Sequence, residues 1–489
     1  MPDAVSDLAD YIRQGLPAPD GQARTRLKSL FTSDGPYLDR RDSSEANIRD
    51  AYALASDDGI PWAGLIHPEN PPSGMYGGAS LVWFPTADGS LLSLIVGTRG
   101  LSPDEGLLTS PGHRRRVAAL RRYLTRIGIQ AWSKPDPSLI DLPVPSSVAH
   151  AETYAPFQKA FERYGAVMYC IARVPADQEK AHLAVQAFLS LYGSARGWPV
   201  RTAWQEQTSA FESDFRASLF PSVTAADVAG LLERRRFVIL QGPPGTGKTR
   251  LAEEVKRAHF GGRGMTVQFH PAVTYEDFVV GLSPDPSASG LKFDVRRGWL
   301  IQAVTEAGKG RYLLVIDEVN RADLGKVLGE AIYLLEAGEI GGEHPRQVEL
   351  PHEIDGDRTL EIPGGLYVLG TMNTADRSIA GLDLAIRRRF AFVPIWPDQS
   401  VVAAHCPPEG RALFDRLTDV FVDHAPLDAL DLLPGHAYFL AKDHDEMRER
   451  FRYQLLPLID EYLREGFLGP ATTELYAVRD QIEDLANRG

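Results

Sequence analysis

The sequence predicts a three-layered α/β domain on a largely parallel sheet, followed by a helical C-terminal lid and preceded by a small α+β module and a helical connector. Three observations carry this prediction. From Arg236 onward a strand, a glycine turn and a helix recur in that order. A glycine-rich octapeptide stands between a short β-branched run and a helical run. A second apolar run ends in an adjacent pair of acids.

Residues 1–140 read as the α+β module. Val5 to Leu16 have the spacing of a short amphipathic helix, and Asn47 to Ser56 reads as a further helical stretch. A hairpin follows, with strands Leu81 to Phe84 and Leu91 to Val96 around the turn Ala87-Asp88-Gly89-Ser90. His113 to Ile127 reads as a helix with Val117, Leu120, Leu124 and Ile127 on one face. Arg115, Arg122 and Arg126 lie opposite, with Arg114 and Arg121 on a flank. Such a stripe is either a solvated helix face or a footprint for nucleic-acid phosphate, with Trp62 or Trp83 as candidate base readers on another surface. Residues 141–230 are expected to be a linker and helical connector. The Pro/Asp/Ser-rich stretch Lys134 to Ser147 lacks periodicity, and residues 152 to about 230 show few strand signals.

The α/β core is expected over residues 231–397, with strands at Phe237–Leu240, Met265–Phe269, Tyr312–Ile316, Leu366–Gly370 and Phe390–Ile395. After Trp396-Pro397 the pattern turns mainly helical, so 398–489 is assigned to the lid.

The strand FVIL leads at once into Gly242-Pro243-Pro244-Gly245-Thr246-Gly247-Lys248-Thr249 and then the helical run RLAEEVKRAHF. This is GxxxxGK[ST] in a strand-loop-helix context, the P-loop. Glycines let backbone N–H groups wrap phosphates at a helix N-terminus, Lys248 reaches the β and γ oxygens, and Thr249 ligates magnesium. The apolar strand from Tyr312 ends in Asp317-Glu318. A carboxylate at the tip of a buried strand holds the metal, and Glu318 beside it suits a general base for water. A third strand, LYVLG, ends in Thr371-Met372-Asn373-Thr374. In a sheet with the P-loop strand central, Asn373 would stand beside the γ-phosphate, to orient water or sense phosphate; otherwise it is a turn asparagine. The cluster Arg387-Arg388-Arg389 cannot be buried unpaired and is either a solvated face or a phosphate reader.

These segments, with VQFHPAVTYEDFVVGLSP, LLVIDEVNRADLGKVLGEAIYLLE, IPGGLYVLGTMNTADRSIAGLDLAIRRRF and PGHAYF, resemble the McrB-like motor subunits of McrBC-type modification-dependent restriction systems. The resemblance covers about residues 236–466, and MNTADRS is its most specific piece. It implies an AAA+ P-loop NTPase that hydrolyses GTP or ATP with Mg2+ in a ring, commonly a hexamer, and acts on DNA with a separate McrC-like nuclease subunit. Matched residue by residue, Asp317 and Glu318 take the Walker B roles, Asn320 helps to place the water, Asn373 is the sensor, and Arg388 or Arg389 is the arginine finger. Asp376 and Arg377 would belong to an interface with the neighbouring subunit, and His270 and His436 fall in family-like positions. The generic GPPGTGKT loop leaves ATP and GTP equally open. Residues 50–130 resemble the small α+β domain often fused ahead of McrB-like motors, which implies a role in DNA or target recognition.

Composition narrows the remaining classes. A net charge of −13 argues against a wholly basic nucleic-acid-coating protein but allows a local basic patch. Cys170 and Cys406 lack a CxxC partner and are expected to be core thiols in a reducing, cytoplasmic setting. No apolar run approaches the roughly 18 residues needed to span a bilayer. No PD-(D/E)xK-like set of carboxylates and lysine is found, so cutting is expected from a partner. Two other readings stand beside the restriction motor. One is a MoxR- or chelatase-like ATPase that remodels a protein or metal-cofactor complex. The other is a nucleotide-gated sensor or scaffold, which the intact Glu318 disfavours.

Overall fold

The computed structural model describes residues 3–16, 22–38, 48–51, 59–71, 74–205, 215, 217–284, 292–342, 344–375, 382 and 384–488. The chain divides into two compact bodies, residues 1–219 with the short segment 422–425, and residues 220–421 with 426–489.

The first body opens with α1 (Ala4–Gln14), capped by Asp3, whose carboxylate accepts from Ser6 N at 2.7 Å. Its sheet comprises β1 (Ile48–Ala51), β2 (Trp62–Leu65), β3 (Ala79–Thr86), β4 (Gly89–Val96), β5 (Ala131–Ser133) and β6 (Met168–Arg173), antiparallel throughout in the order β1-β2-β3-β4-β6-β5. Alternate side chains serve two cores. Leu81, Trp83, Leu92 and Leu94 pack with residues of α1, α2 (Pro111–Arg126) and α3 (Gln178–Ala195), whereas Val82, Phe84, Leu91 and Ile95 pack with Tyr154, Phe157 and Phe161. With both faces covered, β3 and β4 read as nearly continuous apolar runs.

Four expectations are corrected here. Where Asn47 to Ser56 was expected to be helical, residues 48–51 form β1, paired to β2, while 47 and 52–56 lie outside the described residues. A four-residue strand carries no periodicity of its own. Residues 141–230 are not a linker and connector: β6 lies between β4 and β5, α3 packs on the same sheet, and the division between bodies falls after Leu219. The run MYCIAR is short enough to pass for part of a helical pattern. In α2 the apolar face is as expected, but Arg115 is only 5% exposed and its guanidinium donates to the Val422 carbonyl at 2.7 Å within this body. Arg114 pairs with Asp136 at 2.6 Å, so the exposed arginines are Arg121, Arg122 and Arg126. Trp83 is a core residue, which removes it as a base reader, and Trp62 is half-buried against Tyr76. Both cysteines are free and buried, as core thiols, and burial pushes the Cys170 thiol up to about 12.

The second body begins with α4 (Ala225–Arg235), closed by a capping box between Thr224 and Asp227. There follow β7 (Phe237–Gly242), α5 (Lys248–His259), β8 (Gly264–Gln268), the hairpin β9 (Val280–Pro284) and β10 (Phe293–Arg297), α6 (Trp299–Ala307) and β11 (Tyr312–Asp317). A second hairpin, β12 (Gln347–Ile354) and β13 (Asp357–Glu361), precedes β14 (Leu366–Asn373), α7 (Leu384–Arg389) and β15 (Ala391–Pro394). Five strands form a wholly parallel sheet in the order β15-β7-β14-β11-β8. Phe237, Ile239, Leu314, Ile316 and Val368 face one core and Val238, Leu240, Leu313, Val315 and Leu369 the other, as a sheet buried on both sides requires. The central strand is β14, not the P-loop strand β7, which lies between β15 and β14. Beyond Trp396 the chain is helical, including α8 (Pro408–Asp423), α9 (His444–Arg450), α10 (Leu456–Glu465) and α11 (Thr472–Asn487). Among the described residues no helix is long and apolar enough to cross a membrane.

Candidate nucleotide site

Parallel strands end together at one edge of the sheet, and the register places Asn373 of β14 opposite Gly242 of β7. From Gly242 the chain turns through Pro243 to Gly247 into α5. Gly247 is the N-cap with φ of +77°, a left-handed conformation that a side chain would strain. Thr246 Oγ1 donates to the Pro243 carbonyl at 3.0 Å and closes the loop. Lys248 is buried, and its Nζ donates to the carbonyls of Gly242 at 2.9 Å and Pro243 at 2.7 Å. Burial pushes its ammonium down to about 8, against the opposing pull of Glu318 and Asp317. The cation is thus held inside the loop at the N-terminus of α5, where unsatisfied N–H groups already favour an anion.

At the tip of β11, Asp317 Oδ1 accepts from Thr249 Oγ1 at 2.8 Å and from Thr371 Oγ1 at 2.5 Å. Thr371 is buried and also accepts from the Glu318 amide at 3.2 Å, so one hydroxyl ties β14 to both acidic residues. Glu318 turns out of the strand with φ of +56°. Its Oε1 accepts from Asn373 Nδ2 at 2.5 Å and its Oε2 lies 3.6 Å from Arg321 Nε. Asn320 is buried; its Nδ2 donates to the Asn373 carbonyl at 3.3 Å, and its Oδ1 has no hydrogen-bond partner among the described residues. The hydroxyl of Thr249 and the carboxylate of Asp317 are hard oxygen donors at neighbouring positions, which fits a magnesium ion that also binds nucleotide phosphates.

The segment Gly435 to Tyr438, just ahead of α9, lies on this loop. Gly435 N donates to the Pro244 carbonyl and Ala437 N to the Gly245 carbonyl, each at 3.0 Å. A Cβ on Gly435 would stand 2.1 Å from the Gly245 carbonyl carbon, so only glycine permits this approach. His436 Nδ1 accepts from the Asp398 amide at 3.1 Å.

A family model described as an AAA domain of the dynein-related subfamily matches residues 237–390. The chain is 36% identical over 269 residues to the type IV methyl-directed restriction enzyme EcoKMcrB subunit of Escherichia coli (strain K12), covering 50% of this chain and 57% of that protein. This chain carries a McrB-like AAA+ domain. It is also 28% identical over 190 residues to the type II restriction enzyme BsuMI component YdiS of Bacillus subtilis (strain 168), covering 32% of this chain and 55% of the relative. The chain therefore spans little more than half the length of the curated relatives it matches. Among solved structures, a putative ATPase from Cytophaga hutchinsonii aligns over 51% of this chain and 66% of its own at 17% identity and a TM-score of 0.25, too distant to bear on the fold.

Within the McrB-like AAA+ domain the structure brings together Gly242 to Thr249, Asp317, Glu318, Asn320 and Asn373. Arg388 and Arg389 stand apart on α7: Arg388 is exposed, and Arg389 donates to the Ala385 carbonyl at 3.0 Å. Asp376 and Arg377 lie outside the described residues. His270 is exposed, and its Nδ1 accepts from Ala272 N at 3.3 Å in a local turn. Sequence reasoning missed Thr371. The available signal was its place two residues before Asn373, on the same face of β14.

Proposed function

We propose that this chain is the nucleoside-triphosphate-hydrolysing motor of a DNA restriction system, and that it hydrolyses ATP or GTP and drives a separate McrC-like nuclease subunit. The observation that carries this reading is the meeting of the P-loop with two hydrogen-bonded sets, Thr249, Asp317 and Thr371, and Glu318 and Asn373, at the ends of β7, β11 and β14. Lys248 and the N-terminus of α5 would bind the β and γ phosphates. Thr249 and Asp317 would hold a magnesium ion, which when bound neutralises charge on the phosphates. Glu318 takes a proton from the attacking water as its carboxylate shifts from Asn373, while Asn373 and Asn320 orient that water. Arg388 is the finger that a neighbouring copy receives, because it is exposed whereas Arg389 is tied into its own helix.

In the full chain, Lys248→Ala is expected to lose nucleotide binding, while Glu318→Gln binds and fails to turn over. Phosphate release and equilibrium binding, measured side by side with Mg2+, separate these defects. Wild-type turnover in Glu318→Gln removes the general-base role. DNA and a McrC-like subunit are expected to raise turnover; indifference to both favours the protein-remodelling class.

A further inference from the structure

The backbone ladder between β11 and β14 ends at Ile316 and Gly370, one position short of the two acids. Asp317 still pairs with Gln268 of β8 on its other side, so towards β14 the acids depend on side chains. Thr371 supplies the link. Its single hydroxyl proton goes to Asp317 Oδ1 at 2.5 Å, and its oxygen accepts from the Glu318 amide at 3.2 Å. The side chain is 1% exposed, and its β-branched carbon restricts the rotation that would move the hydroxyl. The residue before it, Gly370, lets the turn after β11 pack directly on β14: a Cβ there would stand 2.8 Å from Val319 Cγ1. Thr249, the other hydroxyl on Asp317 Oδ1, is a proposed magnesium ligand. Thr371 has no such second task, and is the partner left to fix the carboxylate.

We propose that Thr371 is a positioning residue for hydrolysis, one hydroxyl that sets the Asp317 carboxylate and the left-handed turn at Glu318 together. It touches neither water nor phosphate in this role. The metal-holding acid and the base are thereby kept in one register, so that loss of the hydroxyl disturbs both. This rests on the reading that the site hydrolyses a nucleoside triphosphate with Mg2+.

The test compares the full chain with Thr371→Val, which matches the shape without the hydroxyl, and Thr371→Ser, which keeps the hydroxyl. Slowly hydrolysed ATP and GTP analogues are titrated with Mg2+ and bound in EDTA, and phosphate release is measured at saturating Mg2+ and nucleotide. Valine is expected to raise the Mg2+ concentration for half-maximal binding, and to lower turnover, each by about tenfold or more, the scale for an outer partner of a metal ligand. Binding in EDTA, set by Lys248 and the loop, stays at the wild-type level, and serine restores both quantities to within about threefold. Melting of the nucleotide-free proteins checks folding; if valine is not tolerated, Thr371→Ala carries the comparison with serine. Wild-type Mg2+ dependence and turnover in the valine variant overturn the proposal, and a loss in only one of the two overturns the shared role. An equal loss of binding in EDTA marks a distorted loop and also overturns it. If the wild-type chain binds neither analogue, or binds them without regard to Mg2+, the nucleotide reading fails and this inference with it; a normal wild type with an unaffected valine variant sinks this inference alone.

Discussion

Glu318 shows how a single residue is held in an unfavourable backbone conformation by its neighbours. Its left-handed backbone, φ +56° and ψ +50°, costs a residue with a Cβ about 1–2 kcal/mol. Hydrogen bonds to Thr371 and Asn373 offset that cost. A second residue, His113 in α2, governs stability instead. It is 4% exposed with Nε2 3.3 Å from the Tyr169 hydroxyl, and burial, assisted by Arg196 and opposed by Asp104, lowers its pKa from 6.5 to about 4. Above pH 6.5 the ring is neutral in both the folded and unfolded chain, and the stability of this packing is fully present. As pH falls from 6.5 towards 4 the unfolded chain takes up a proton that the folded chain refuses, so stability drops by up to about 1.4 kcal/mol per unit. His113→Gln keeps polar atoms for Tyr169 and does not titrate. Denaturant unfolding of the full chain between pH 5 and 7 is expected to show a shallower pH slope in the variant. Tryptophan fluorescence suits the measurement, because Trp62, Trp83, Trp132, Trp198 and Trp204 all belong to this body. Equal slopes would mean that His113 takes up its proton as readily in the folded chain as in the unfolded one.

Two helices carry arginines whose roles separate by what they touch. On α7, Arg387 donates to the Leu382 carbonyl at 3.3 Å and Arg389 to Ala385, while Arg388 makes no hydrogen bond or ion pair with any described residue. Arg388→Ala is expected to leave binding near wild type and cut turnover by about a thousandfold, the scale of a finger arginine. Mixing it with Lys248→Ala should restore part of the activity, since one partner supplies an intact P-loop and the other an intact arginine. No rescue at any mixing ratio would place Arg388 outside a shared site. On α2, Arg115 is committed to Val422, and Arg121, Arg122 and Arg126 form the exposed set. If this set docks on DNA phosphates, replacing all three by Ala lowers the log–log salt slope of DNA binding by about three, with all sequences weakened alike. An unchanged slope leaves the helix a solvated face. The full chain is the right material, since a fragment ending at residue 140 would lose β6 from between β4 and β5.

At the scale of the whole molecule, the finger model requires neighbours. Sedimentation of the chain with a slowly hydrolysed ATP or GTP analogue and Mg2+ is expected to show a closed oligomer at micromolar concentration; monomers alone would rule out the ring. The purified chain is also expected to leave DNA uncut, because no nuclease set of carboxylates and lysine is found in the sequence. With a net charge of −13, the proposed DNA engagement would rest on local surface and is expected to weaken steeply with salt.

The sequence by itself determined the α/β core, the P-loop, the acidic pair and Asn373, because each lies at the end of a short apolar strand and its chemistry is written in neighbouring residues. The hairpin β3–β4 was legible for the same reason, since its turn residues sit between its strands. Only the tertiary structure decided what depends on pairing across long separations. The sequence did not reveal that β6 enters the N-terminal sheet, that β14 rather than β7 is central, or that Arg115 is buried. The hairpins β9–β10 and β12–β13 escaped notice because their strands mix glycine, proline and charge, and only the partner strand makes them strands. The approach of Gly435 and His436 to the P-loop lies almost two hundred residues beyond it in the chain, and no periodicity encodes a contact at that distance. Local pattern reports which face of an element is apolar; packing alone decides which residue meets which.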